Sequence, residues 1–262
     1  MNRTKKAWIN LFFFVITLVI NTMGAFGLIN GLTQKEVSDM FPTLITPAPV
    51  TFSIWGIIYL LLLISLIVMI VKKDDYYYQS AIDNITALFR LSCLFNLAWI
   101  ISFSYVQIEF SVFFIFGLVI TLALICQKLL EIQEDKQFLL PLTFGLYTGW
   151  VFIATIVNIA ALLVKLEWSG FGIADETWAV IVLAVAVILV FIILLNNHNA
   201  VFPLPVAWAC LGIYISLKSP QGYNGEYVLL QITALAGMVV LIVMALIQFY
   251  KNHYAVLPNT TL

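Results

Sequence analysis

The sequence predicts an all-α, polytopic membrane helix bundle of about eight transmembrane helices. Composition is the first reason: of 262 residues, 63% are hydrophobic and 10% charged, with a mean hydropathy of +1.06. A soluble globular domain carries about a quarter charged residues, so this chain belongs in lipid. Segmentation is the second. A span needs about 20 mostly apolar residues, and eight segments qualify: 8–29, 50–71, 85–106, 110–128, 139–164, 178–195, 201–217 and 227–250. The third is the placement of charge, because all 13 acids fall in loops or at span ends.

Taken in order, the first span follows Arg3, Lys5 and Lys6. Its apolar run is too long for a signal peptide and no small-x-small cleavage site follows, so it is expected to be a retained helix. The loop 30–49 is the one long connection. It contains the polar stretch Gln34-Lys35-Glu36-Val37-Ser38-Asp39, which has helical potential. It reads either as a lid over the outer face or as a solvated connector. Pro47-Ala48-Pro49 then opens the second span, since proline is tolerated where a helix N–H has no intrahelical partner. Trp55 and Tyr59 follow, four residues apart on one face.

In the third span Asn96, Trp99 and Phe103 share a helical face, and Arg90 near its start is expected to snorkel toward the interface. Gln107-Ile108-Glu109 joins spans three and four as a tight hairpin. The fifth span repeats the pattern with Tyr147, Trp150, Ala154 and Asn158 at three- and four-residue steps. Spans six and eight are nearly featureless runs of Val, Ile, Leu and Ala. Between them lies a seventh with Pro203, Pro205, Trp208 and Tyr214, reached through Asn196-Asn197-His198-Asn199. The chain therefore divides into residues 1–165, which hold the Trp/Asn/Tyr motifs, and residues 166–262, which add three helices.

Charge sets orientation and excludes several functions. Arg3, Lys5, Lys6, Lys72, Lys73, Lys128, Lys136 and Lys251 fall on one side, against Lys35, Lys165 and Lys218 on the other. This asymmetry predicts both termini in the cytoplasm, with the chain in the cytoplasmic (plasma) membrane. A net charge of −1 points to no nucleic-acid partner. Cys93, Cys126 and Cys210 sit inside apolar spans without CxxC spacing, and the only histidines, His198 and His253, lie near span ends. No metal site, disulfide framework or cofactor is expected. Proton-coupled carriers and intramembrane hydrolases place ionisable groups within the membrane, and none is evident here. With no nucleophile–base pairing either, the sequence leans away from an enzyme.

An amide without a partner in hydrocarbon costs several kcal/mol, so Asn96 and Asn158 must face the bundle interior. They can act as interhelical glue, each worth about 1 kcal/mol. Alternatively, with the inward indoles Trp55, Trp99 and Trp150, they build a deep aromatic site for a flat hydrophobic ligand. Ala154, small and on the Trp150 face, leaves room for such a ligand or permits close packing.

These residues resemble the translocator protein family (TspO/MBR, the tryptophan-rich sensory proteins), whose members have five transmembrane helices. The family's second helix opens through a Trp-x-Pro-Pro stretch ending in Trp-x-x-x-Tyr, matched by Pro47, Trp55 and Tyr59. Its third helix carries Asn-x-x-Trp-Ser-Pro, matched by Asn96 and Trp99. Its fifth carries Tyr-x-x-Trp and then an Asn, matched by Tyr147, Trp150 and Asn158. The likeness covers roughly residues 8–165. It departs where Pro49 replaces a family Trp, where Ile100-Ile101 replace Ser-Pro, and where Leu146 replaces a Pro. The resemblance implies a five-helix bundle with a cavity beneath the first loop, binding a porphyrin or other tetrapyrrole, or a sterol-like compound. It also implies a homodimer. The competing expectation is a small secondary transporter using all eight helices, with Asn96, Asn158, Gln231 and the Pro203/Pro205 break as its polar and broken-helix features.

Overall fold

A computed structural model of the protein describes residues 2–259. Its helices are α1 (Arg3–Ala25), α2 (Gln34–Asp39), α3 (Ile54–Val71), α4 (Tyr76–Ser104), α5 (Ile108–Glu131), α6 (Leu139–Lys165), α7 (Asp175–Asn197), α8 (Pro203–Lys218) and α9 (Val228–Lys251). A 3₁₀ turn over Pro49–Ser53 runs directly into α3. Among the described residues seven helices are long and apolar enough to cross a membrane, counting α3 with its 3₁₀ lead-in.

Helices α1, α4, α5, α6 and α3 form a ring in which each packs on the next and α3 returns to α1. Short connections make most chain neighbours antiparallel partners, as in other helix bundles. Outside the ring, α8 lies against α6, α9 against α8, and α7 against α9. The main apolar core runs from Ala7 in α1 through Val206 and Cys210 in α8 to Leu241 in α9.

Helices α4 and α8 depart most from the sequence reading, the first in where it starts and the second in its length as a span, each for a physical reason. Helix α4 begins at Tyr76 instead of residue 85, with the Asp75 carboxylate accepting from the Tyr78 amide at 3.3 Å as an N-cap. Its polar first turns stay helical because Asp83 is tied to Arg3 and Lys6 of α1 at 2.7 and 2.6 Å. Arg90, one helical stretch deeper, donates to Asn10 Oδ1 and to the Lys6 carbonyl, which draws it toward the same end.

The second concerns α8, which falls nearly where the sequence reading put its seventh span, 201–217, but has only 16 residues. At 1.5 Å per residue it spans about 24 Å, short of a hydrocarbon core of about 30 Å. It is short because it starts inside the protein, where Asn197, Asn199, Ala200 and Phe202 are all buried. Irregular backbone at that depth is tolerated only if the protein satisfies it. Asn199 does much of this: its Nδ2 donates to the Pro141 carbonyl and its Oδ1 accepts from the Val201 amide. The chain's tail supplies the rest. The Ala200 amide donates to the Val256 carbonyl, and Asn252 Nδ2 donates to the carbonyls of His198 and Val256. Gly145 and Gly149 of α6 make the space, since a Cβ on Gly149 would lie 2.2 Å from the Phe202 carbonyl oxygen.

The predicted helical stretch in the long loop is α2, closed by a capping box in which the Thr33 hydroxyl accepts from the Glu36 amide and Glu36 accepts from the Thr33 amide. Those bonds from Thr33 hold the Glu36 carboxyl below its ordinary value. The cap is therefore intact above the usual carboxylate range and is lost as pH falls through the lowered pKa.

Replacing Asn199 with Ala leaves a buried amide and a buried carbonyl short of a partner. The expected loss is about 1–3 kcal/mol, read as a lowered melting temperature in detergent. Asn84→Ala, whose amide bonds only within its own exposed turn, should leave melting unchanged.

Candidate functional site

The faces singled out in spans two, three and five converge inside the ring. Proline at the start of the 3₁₀ turn fixes where α3 begins, and this brings Trp55 inward one turn later. Trp55 stacks on Tyr59 of its own helix at 5.2 Å between ring centroids and 18° between planes. It also meets Trp99 of α4 at 5.9 Å, Tyr147 of α6 at 6.0 Å and Trp150 of α6 at 6.2 Å, the last two edge-on. Edge-to-face and offset contacts of this kind suit the quadrupole of aromatic rings. Trp99, Tyr147 and Trp150 are buried, whereas Trp55 and Tyr59 are half-buried.

Two amides organise the polar side of the site. Asn158 Oδ1 accepts from Trp99 Nε1 at 3.2 Å and from the Ser111 hydroxyl of α5 at 3.1 Å, while its Nδ2 donates to the Ala154 carbonyl. Asn96 Nδ2 donates to the Tyr147 hydroxyl at 3.0 Å, and its Oδ1 accepts from Asn21 Nδ2 of α1 at 2.6 Å. The amides thus tie four of the five ring helices to α6 or to each other. Two polar atoms are left over: Trp150 Nε1 is buried without a hydrogen-bond partner, and the Tyr59 hydroxyl lies beside Asn96 without completing a bond to it.

The rings are packed on one another. A planar ligand held between two parallel ring faces needs about 7 Å, two contacts of about 3.5 Å each. The ring separations around Trp55 are all shorter than that. Beside the cluster, between α3, α6 and α8, runs an open groove of about 260 Å³ lined by Ile54, Ile57, Leu146, Leu204, Pro205 and Trp208, with Ser53 at its edge.

A family profile described as TSPO-like protein matches residues 7–247. The chain belongs to the TSPO-like family. No curated protein and no solved structure matches it. The family match runs well past residue 165, where the motif likeness ends, and takes in α7, α8 and most of α9.

Of the residues selected from this TSPO-like sequence, Trp55, Tyr59, Asn96, Trp99, Tyr147, Trp150 and Asn158 stand together. Ala154 is half-buried on the same helix face and serves through its carbonyl. Phe103 is half-buried and stands apart from the rings gathered around Trp55. Three further participants escaped the sequence reading. Asn21 was visible by the same cost argument that located Asn96, since it is an amide inside an apolar span. Phe52, packed edge-on against Trp150 at 5.9 Å, sits within the proline-led stretch but carries no spacing signal. Ser111, one turn into α5, offers none either.

The two buried indoles should respond differently to loss of the N–H. Trp99→Phe breaks the bond to Asn158, whereas Trp150→Phe removes a donor that has no partner. With similar ring area lost in both, Trp99→Phe should be the more destabilising by about 1–3 kcal/mol, measured as the difference in thermal or denaturant midpoint.

Proposed function

We propose that this TSPO-like protein is a membrane binding or sensory protein. In this reading it holds a planar hydrophobic ligand, a porphyrin or other tetrapyrrole or a sterol-like molecule, among α1 and α3–α6. The observation that carries it is the gathering of Trp55, Trp99, Tyr147 and Trp150 from three helices around uncharged buried donors, with Trp150 Nε1 unpaired. An unpaired buried N–H costs about 1–3 kcal/mol, which a ligand acceptor would recover. Binding exchanges ring–ring contacts for ring–ligand contacts of similar chemistry. The half-buried Trp55 is the ring that must turn to admit the ligand.

The same reading places the protein in the cytoplasmic membrane with both termini inside, from the lysine and arginine asymmetry, and as a homodimer, by analogy with the family. A transporter remains the second reading, favoured by one feature. Helix α8 starts from irregular backbone within the bundle, the kind of broken helix transporters use. Against it, the polar side chains at that break are amides whose bonds are made within the protein.

The test is a tryptophan-quenching titration with protoporphyrin IX on purified protein. Trp99→Ala and Trp150→Ala should each weaken binding several-fold or more. Titrations identical to the unmodified protein in both variants would sink the reading, and an ion-dependent flux in reconstituted vesicles would favour the transporter.

A further inference from the structure

The role of the helices beyond the ring can be read from what α8 touches. The segment 46–53, which leads from the long loop into α3, packs chiefly on α8 apart from its own continuation into α3. Trp208 Nε1 of α8 donates to the Thr51 carbonyl at 2.9 Å. The Ala48 amide donates to the Gly212 carbonyl of α8, also at 2.9 Å. Gly212 is what lets the two backbones approach: a Cβ there would fall 2.0 Å from Thr51 Oγ1 and 2.9 Å from Thr51 Cβ. Thr51 is 1% exposed and its hydroxyl has no hydrogen-bond partner, as expected of a residue seated by shape.

Just upstream, Ile45 is buried in a separate apolar cluster with Ile213 and Leu217 of α8, Leu183 of α7 and Leu230 of α9. Helix α8 thus grips the strap directly, and α7 and α9 join α8 in the apolar cluster that holds Ile45 at its upstream end. The strap in turn carries the aromatic wall. Phe52, next to Thr51, lies edge-on to Trp150, and Trp55 follows within a turn.

We infer that Trp208 and Gly212 are positioning residues for the aromatic site, and that α8, backed by α9 and α7, serves as a clamp holding the 46–53 strap, with Phe52 and Trp55, closed over Trp150. This rests on the binding reading for its consequence but not for its geometry. Opening the site to a flat ligand requires Trp55 and Phe52 to move, and they are anchored through the strap to α8. The clamp therefore sets how fast a ligand enters and leaves, while the ring helices supply the contacts it makes.

The experiment uses the full-length protein in nanodiscs, with Trp208→Phe and Gly212→Ala. The first keeps an aromatic ring and removes the donor; the second pushes the strap away by contact with Thr51. Hydrogen–deuterium exchange without ligand should show residues 46–53 exchanging roughly tenfold faster in both, the scale of losing one buried hydrogen bond. Exchange in α4 and α5 should stay unchanged. The double variant Gly212→Ala/Thr51→Ala, which removes the 2.0 Å contact, should regain part of the protection. Protoporphyrin IX should dissociate faster from both single variants by a similar factor.

Unchanged strap exchange in both variants overturns the inference. So does acceleration spread evenly over all helices, or a loosened strap with unaltered dissociation from a protein that does bind. If the unmodified protein does not bind the porphyrin, the ligand reading fails, and the exchange pattern measured without ligand still decides the clamp.

Discussion

In hydrocarbon a peptide or amide group has no water to bond with, and every polar atom of this protein below the headgroups must find its partner within the chain. The ring of α1, α3, α4, α5 and α6 follows from that constraint as much as from apolar packing. Lipid tails are as apolar as leucine, so burying Leu and Ile between helices offers little gain over leaving them in lipid. What distinguishes one arrangement from another is the fit of small residues and the pairing of Asn96 with Tyr147 and Asn21, and of Asn158 with Trp99 and Ser111. The same rule governs the inner turn before α8, where Asn199 and Asn252 replace the missing helical bonds.

Against that economy, the Trp150 indole N–H and the Tyr59 hydroxyl are buried polar groups of the aromatic cluster that remain unpaired, as does the Thr51 hydroxyl nearby. The structure satisfies the buried irregular turn before α8 with two asparagines, yet leaves an indole N–H unpaired where Trp150 meets Trp55 and Phe52. Unsatisfied buried groups are uncommon in proteins and call for a specific explanation, often a role in function. The aromatic cluster also gives up little by rearranging, since a ring–ring contact and a ring–ligand contact are worth comparable amounts. In the proposed binding reading, such a site is closed by its own side chains and opened by moving one of them. The contacts of α8 with Thr51 lie on the side where Phe52 and Trp55 would move.

How much of this was legible in the sequence depended on whether the signal was local. The eight apolar helices followed from apolar length, though α8 is too short to count with the seven that can cross a membrane, and α2 from its polar hexapeptide. The inward faces followed from three- and four-residue spacing combined with the cost of an unpaired amide, which correctly brought together Asn96, Trp99, Tyr147, Trp150 and Asn158. Asn21 was equally accessible by that argument. The early start of α4 was not, because nothing within residues 76–84 tells that Asp83 will meet Arg3 and Lys6 some 80 residues away in sequence. Nor was the burial of the turn before α8, which is set by Gly145, Gly149 and the tail.

The sequence by itself determined an all-helical membrane protein and the side chains that each helix turns inward, because apolar length and helical period are properties of a single segment. Tertiary structure alone decided that α3 closes the ring against α1 and α6, that Phe52 joins the aromatic cluster, and that α8 packs on the strap leading to Trp55. Each of these rests on a contact between segments far apart in the chain, such as Trp208 with Thr51 across 157 residues. No local pattern encodes such a contact, since its partners are ordinary residues until the fold brings them within 3 Å.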